Sequence, residues 1–467
     1  MFRREASHTL RREWSAMGRL QADGRHIMTD DLHASEAAAR GQAPPGAPRM
    51  LWMSTFAFAA SFAAWTLFSI IGIRIQEELG LSESEFGLLI SIPILSGSIA
   101  RLFVGIASDR LGGRRVMTLT MLLSAVALWL LVSASTYLQF LLAGLGFGLA
   151  GGTFAAGIAF LSRWYPRERH GSAFGLFGIG IIGAAFTNVA APFLLVALGW
   201  QGTARVYAAG LAAAALFFWL LSGDDPETQR RRLSGARGAT LAELLAPLHK
   251  IRVWRFSLYY FMFFGGFVAL ASWLPRYFIA VYKLDIETAG LLTAVYSTAA
   301  AVFRAFGGYL SDRFGARMVL YWSFWACMGC LLLLSYPPTT YIVEGIDGLI
   351  RFRLSTPLHL FVVLSFLLGF FMSLGMAAVF KHIPSYFPAS VGAVGGLVGM
   401  IGGLGGFFLP VIFGIVNDLS NIWTTAFMTL FGLVSFCLLW MHVVVIRIAG
   451  QADRDPAITD EPTGART

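Results

Sequence analysis

Residues 101–112 read Arg-Leu-Phe-Val-Gly-Ile-Ala-Ser-Asp-Arg-Leu-Gly, and residues 304–315 read Arg-Ala-Phe-Gly-Gly-Tyr-Leu-Ser-Asp-Arg-Phe-Gly. The two copies align without a gap, at a constant offset of 203 residues (304 against 101). A second match joins Gly171, Gly175 and Gly178 to Gly392, Gly396 and Gly399, now at an offset of 221 (392 against 171). A chain that repeats itself in this way is built of two similar halves. The residues that lengthen the offset are expected in a loop at 337–356.

Composition says where such a chain lives. Of its 467 residues 57% are apolar and only 13% are charged, and the mean hydropathy is +0.67. Soluble domains carry about 25% charged residues. A disordered chain, a secreted disulfide scaffold and an ordinary cytosolic enzyme are excluded. Cys327 and Cys330 have CxxC spacing, but they sit inside an apolar run and read as helix packing. No HExxH, nucleophile elbow or cluster of His with carboxylates marks a catalytic or metal site.

Apolar stretches occur near 51–71, 85–108, 116–134, 137–162, 171–195, 204–222, 254–280, 288–311, 318–336, 357–381, 392–416 and 422–447. Most reach the roughly 20 residues that a spanning helix needs. The expected fold is therefore all-α, a polytopic membrane protein with twelve transmembrane helices in two pseudo-symmetric six-helix halves. The expected organisation is a cytoplasmic tail over 1–50, one half over 51–222, a polar linker over 223–253, the second half over 254–447 and a tail over 448–467. Lys and Arg favour cytoplasmic loops. With the N-terminus inside, the inner loops hold sixteen of them and the outer loops six. Both ends are then cytoplasmic. The net charge of +9 reads as a topology signal and not as a nucleic-acid surface.

Of 35 Lys and Arg, 33 fall in loops or tails. The other two are Arg101 and Arg304, each eight residues before the Asp of its repeat. Eight residues of helix span about 12 Å of a core about 30 Å thick. Both side chains are expected near midplane, where an Arg costs about 3 kcal/mol on insertion scales. All 26 acidic residues fall in loops, tails or span ends. Backbone carbonyls or buried water could serve the two guanidinia, but a mobile anion is the natural partner. Guanidinium forks favour planar oxyanions, and nitrate, nitrite, formate and bicarbonate all qualify. The lack of membrane carboxylates argues against the proton relays of many sugar and drug carriers.

Glycine is the second signal. Residues 392–406 contain Gly395, Gly396, Gly399, Gly402 and Gly403, and the fifth span carries Gly175 and Gly178. In a membrane such residues permit close helix approach and rocking. Gly178, Gly180 and Gly183 match GxGxxG but follow no strand, so no dinucleotide site and no cofactor is expected.

The run of Gly105, Asp109, Arg110, Gly112, Arg114 and Arg115 after the second span resembles the signature loop of the major facilitator superfamily. It recurs after the eighth span as Gly308, Asp312, Arg313 and Gly315. Three stretches look like the nitrate/nitrite porter branch: 56–72, 151–166, and 381–388 running on into the Gly-rich span. The resemblance implies alternating access, with the two Arg binding the anion and the repeated loops, including Arg114, acting as conformational switches. It also implies that aromatics from spans four and seven sandwich the anion, matching Phe154 and Phe264, with Tyr260 one turn away. It implies a monomer in a bacterial inner membrane that works by nitrate/nitrite exchange or proton symport. Two positions depart from the pattern. Ile181 stands where the family has Asn, and Asn188 where some relatives carry a Lys linked to proton coupling. Another small oxyanion or organic anion, or a transporter-like sensor, are the alternatives.

Overall fold

Lipid offers no hydrogen-bond partner, so each apolar segment must satisfy its own backbone, and a helix is the way to do so. The computed structural model describes residues 44–166, 169–224, 245–346, 348–387 and 391–452. The expected linker falls largely outside the described residues, as do both expected tails apart from their span-proximal ends. Among the described residues, eleven continuous helical runs are long and apolar enough to cross a bilayer.

They are α1 (Ala47–Leu79), α2 (Glu83–Leu111), α3 (Gly113–Leu131), α4 (Tyr137–Leu161), the run Ser172–Leu221, α7 (Ile251–Tyr282), α8 (Ile286–Phe314), α9 (Ala316–Leu334), α10 (Leu358–Tyr386), α11 (Val391–Ser420) and α12 (Thr425–Ala452). The run Ser172–Leu221 has 50 residues. At ~1.5 Å per residue it is more than twice as long as a hydrocarbon core is thick. It breaks at Gly199, whose φ of 68° and ψ of 176° only glycine adopts readily. Its two limbs, α5 before Gly199 and α6 after it, fall on two of the expected apolar segments, 171–195 and 204–222.

Local chemistry sets where the helices begin. Ser82 Oγ accepts from the Glu85 N–H and Glu85 accepts in return from the Ser82 N–H, a capping box that starts α2. Thr136 and Gln139 do the same for α4. The Asp285 carboxylate accepts from the Thr288 N–H at 2.8 Å and starts α8, and these bonds hold its carboxyl below the usual range. The first helix starts at Ala47, four residues earlier than expected, because Pro48 suits a first helical turn.

The fold departs from all-α at the expected loop 337–356. There β1 (Thr339–Gly345) and β2 (Gly348–Leu354) form an antiparallel hairpin with Tyr341 opposite Phe352. Its apolar runs, at 341–343 and 349–350, are only two or three residues long and are bounded by Thr, Glu, Gly and Arg, so a twenty-residue apolar window does not register them.

Helices α2 and α11 run antiparallel and in contact from Glu83 and Asp418 as far as Arg101 and Gly399. At one end Asp418 of α11 accepts from the backbone N–H groups of Glu83 and Ser84, and Arg276 of α7 meets Glu83 at 2.6 Å. A Cβ on Gly414 would overlap the Glu83 carbonyl, and one on Gly87 the Pro410 carbonyl. Helices α5 and α8 touch in the same way, with Gly290 against the Asn188 carbonyl. This contact stops beyond Arg101 and Arg304. Gly105 and Gly396, next in register on α2 and α11, have nothing within 4 Å of an added Cβ, nor do Gly175 and Gly308 on α5 and α8. The interface between the halves is closed at the Glu83 end and open at the Asp312 end.

A Gly87→Ala change must push the α2 and α11 backbones apart, whereas Gly105→Ala meets open space. The first should cost about 1–3 kcal/mol and the second close to nothing. Thermal unfolding of both variants in detergent checks this, and equal midpoints would refute the close packing at Gly87.

Candidate functional site

Arg101 lies eighteen residues after the first residue of α2 (83 to 101), and Arg304 eighteen after the first residue of α8 (286 to 304). Both side chains are buried, at 3% and 6% exposure. The two repeats therefore bring their arginines to matching heights, one from each half, at the level where the closed interface ends.

The helices around them are irregular at that same level. α4 tightens to 3₁₀ geometry over Gly148–Gly152, and α5 does so over Ile179–Ile182. α7 widens into a π-helical turn over Phe261–Gly265. α8 breaks at Phe303, directly before Arg304. Short 3₁₀ and π segments inside long helices cluster at functional sites, because they free carbonyls and re-aim side chains.

Both effects are visible at Arg101. Its Nε donates to the Gly151 carbonyl in the 3₁₀ segment of α4, at 3.3 Å. Its Nη1 donates to the Gly399 carbonyl of α11, at 2.5 Å. Three rings surround the guanidinium: Trp65 at 5.5 Å, and Phe154 and Phe264 at 5.2 Å each. A cation over an aromatic face gains about 0.5–2 kcal/mol.

Arg304 is held more loosely. Its Nη2 donates to the Tyr260 hydroxyl at 3.2 Å, and Phe380 lies 6.0 Å from its guanidinium carbon. Its Nη1 is buried and has no hydrogen-bond partner among the described residues. Tyr260 stacks flat on Phe264, at 5.1 Å and 5°. One stacked pair from α7 thus touches both arginines. Among the described residues neither arginine forms an ion pair with a carboxylate.

The two Gly motifs meet the arginines crosswise. Gly399 of the second half accepts from Arg101 of the first. Gly178 of the first half abuts Arg304 of the second, whose Nε would lie 3.0 Å from an added Cβ. Gly402 packs under Tyr260, and Gly403 against Ser98 and Arg101, while Gly395 and Gly396 stand at the open end.

The expected site residues Arg101, Arg304, Phe154, Phe264 and Tyr260 therefore share one cluster. Both sandwich rings flank Arg101 and neither faces Arg304. Trp65 and Phe380 belong to the cluster too; Trp65 lies in the stretch 56–72 that carries the family resemblance, but the sequence singles out neither ring as a site residue. So do the Gly151 and Gly399 carbonyls, and the side chain of a glycine carries no hint of what its carbonyl will do. Ile181 is fully buried, and Asn188 donates to Ser297 of α8 at 3.2 Å instead of facing the arginines. In the repeated loops Asp312 pairs with Lys381, and Arg114 donates to the Trp219 carbonyl at 2.6 Å with Asp224 at 3.9 Å. The side chain of Asp109 lies outside the described residues.

Comparison with known proteins agrees with this architecture. A profile of the Major Facilitator Superfamily matches residues 53–350 and 282–463. A Thermus thermophilus protein named "Probable nitrate/nitrite antiporter NarK1" is 40% identical over 87% of this chain and 94% of its own length. The "Nitrite extrusion protein" of Bacillus subtilis is 30% identical over 84% of this chain and 94% of its own. Among solved structures, a bacterial homologue of the human lysosomal transporter Spinster superposes with a TM-score of 0.62 at 14% identity, covering 85% of this chain and 97% of that one. The nucleoside transporter NupG superposes with a TM-score of 0.63 at 14% identity, covering 84% and 99%. The repeated loops, the paired helices and these matches together assign the chain to the major facilitator superfamily, in its nitrate/nitrite porter branch.

Proposed function

We propose that this protein is a secondary transporter that exchanges nitrate and nitrite across the bacterial inner membrane, with Arg101 and Arg304 as its anion site. One observation carries the reading. Two buried guanidinium groups come from repeat-related positions, with no carboxylate partner among the described residues and aromatic faces around them. A small planar oxyanion supplies the missing negative charge. The Nη1 of Arg304, without a partner, is the donor that it would satisfy first.

The aromatic rings give selectivity by shape. A flat, delocalised anion fits between ring faces, and a tetrahedral one of higher charge does not. Ile181 removes the amide that the family pattern supplies, so planarity and the two guanidinia carry recognition in this chain. Names of relatives that include nitrate, nitrite and antiport support this substrate class.

Alternating access follows from the closed and open ends of the interface. By the distribution of Lys and Arg the open end faces the cytoplasm. To expose the site outward, the contacts around Glu83, Asp418 and Arg276 must part, while Gly105 closes on Gly396 and Gly175 on Gly308. These four glycines leave room for that closure. Without an anion, two like charges oppose it. A carrier that closes only when loaded is an exchanger. Exchange also avoids the cost of moving one net negative charge inward, about 2.3 kcal/mol per 100 mV.

Vesicles loaded with nitrite should take up nitrate, and empty vesicles should not. Arg101→Ala and Arg304→Ala should each lower uptake at least about tenfold, because hydrogen bonds to charged groups contribute about 1.5–3 kcal/mol. Uptake that survives loss of both arginines refutes the site. Uptake that is driven by a proton gradient and indifferent to internal nitrite refutes exchange and leaves symport.

The crosswise glycines make a finer test. Gly178→Ala forces the Arg304 side chain to move, whereas Gly399→Ala meets Arg101 only at ordinary contact distance, 3.8 Å. Gly178→Ala should raise the KM for nitrate several-fold more than Gly399→Ala. Equal effects would show that Gly178 does not set the position of Arg304.

A further inference from the structure

A second group of basic and hydrogen-bonding side chains lies away from the paired arginines, near the inner-loop ends of α7, α9, α10 and α12. It lines a small recess that is partly open to solvent. Arg255, Phe256 and Tyr259 of α7, Arg317 of α9, and His382 and Tyr386 of α10 form its polar and aromatic walls. The His382 ring lies flat on Phe256, at 5.4 Å and 8°, which sets the direction of its ring nitrogens. The Arg255 guanidinium is 5.3 Å from the same Phe256 ring. Tyr259 is 2% exposed, and its buried hydroxyl has no hydrogen-bond partner among the described residues.

An orphaned buried hydroxyl is unusual enough to need a cause, and an unfilled ligand position is one. Tyr259 lines a recess that Arg255, Arg317 and His382 line as well. The donors come from three helices, so they approach from different sides. That arrangement suits a group with oxygens in several directions, whereas the paired-arginine cluster between flat rings suits a planar one.

We propose that this recess binds a phosphate group. Basic recesses between transmembrane helices at the cytoplasmic surface hold lipid headgroups in other membrane proteins. The outer flanks of α9 and α12 expose Met318, Trp322, Val443 and Ile446, an apolar surface along which acyl chains can lie. The same donors would accept free inorganic phosphate. The site is separate from the Arg101 and Arg304 cluster, in which Arg255, Arg317 and Tyr259 take no part.

The test uses the purified full-length protein in detergent and a fluorescent short-chain phosphatidylglycerol. Unlabelled phosphatidylglycerol and inorganic phosphate serve as competitors. The wild type should bind the lipid saturably. The double variant Arg255→Gln with Arg317→Gln should bind it at least about tenfold more weakly. Tyr259→Phe, which removes one oxygen and keeps the ring, should weaken binding several-fold. Displacement by the unlabelled lipid alone identifies a headgroup site, and displacement by millimolar inorganic phosphate identifies a site for the soluble ion. Binding of the fluorescent lipid by Tyr259→Phe and by the double variant as tightly as by the wild type, or no saturable binding by the wild type, overturns the proposal. If the double variant does not fold, Tyr259→Phe decides alone.

Discussion

Two guanidinium groups buried in an apolar protein are the constraint around which the rest is arranged. Each costs several kcal/mol to remove from water, and no described carboxylate offsets that cost. Arg101 is met by two backbone carbonyls and three aromatic faces. Arg304 is met by one hydroxyl and one more distant ring. The charge is therefore only partly compensated, and more so on one side than on the other. This asymmetry departs from the near two-fold symmetry of the helices and leaves the unmet donor on Arg304.

The helix irregularities answer that constraint. The 3₁₀ turn in α4 releases the Gly151 carbonyl toward Arg101, and the π-helical turn in α7 places Phe264 and Tyr260 so that one stacked pair reaches both arginines. Glycine at the crossings lets the backbones of the two halves touch directly. Where the contact ends, glycine leaves a gap that can close without any side chain having to move aside. The same residue type thus packs the closed end and leaves space at the open end.

Much of the fold was legible in the sequence because the bilayer imposes few solutions. Length and apolarity of the runs, the placement of Lys and Arg and the two repeats were enough for twelve segments in two halves. Arg101 and Arg304 were legible for a related reason: charge is so rare inside a membrane that two survivors stand out. The hairpin at 339–354 was not legible, since its apolar runs are only two or three residues long and lie inside a stretch read as a loop. Trp65 and Phe380 were hidden by abundance, because 14% of the chain is aromatic and nothing local separates a ring at the site from one in the packing.

What the sequence determined by itself was the number of apolar segments, the expected sidedness, the repeat and the two residues that bear charge inside the membrane, all of which follow from local composition and the cost of placing charge in lipid. Only the tertiary structure decided that one stacked pair from α7 touches both arginines, that Gly178 and Gly399 each meet the arginine of the opposite half, and that the interface is closed at Glu83 and open at Asp312. Those facts depend on which backbone carbonyl or ring approaches which side chain across two helices, and contacts between residues 298 positions apart, such as Gly399 with Arg101, leave no mark on the order of amino acids.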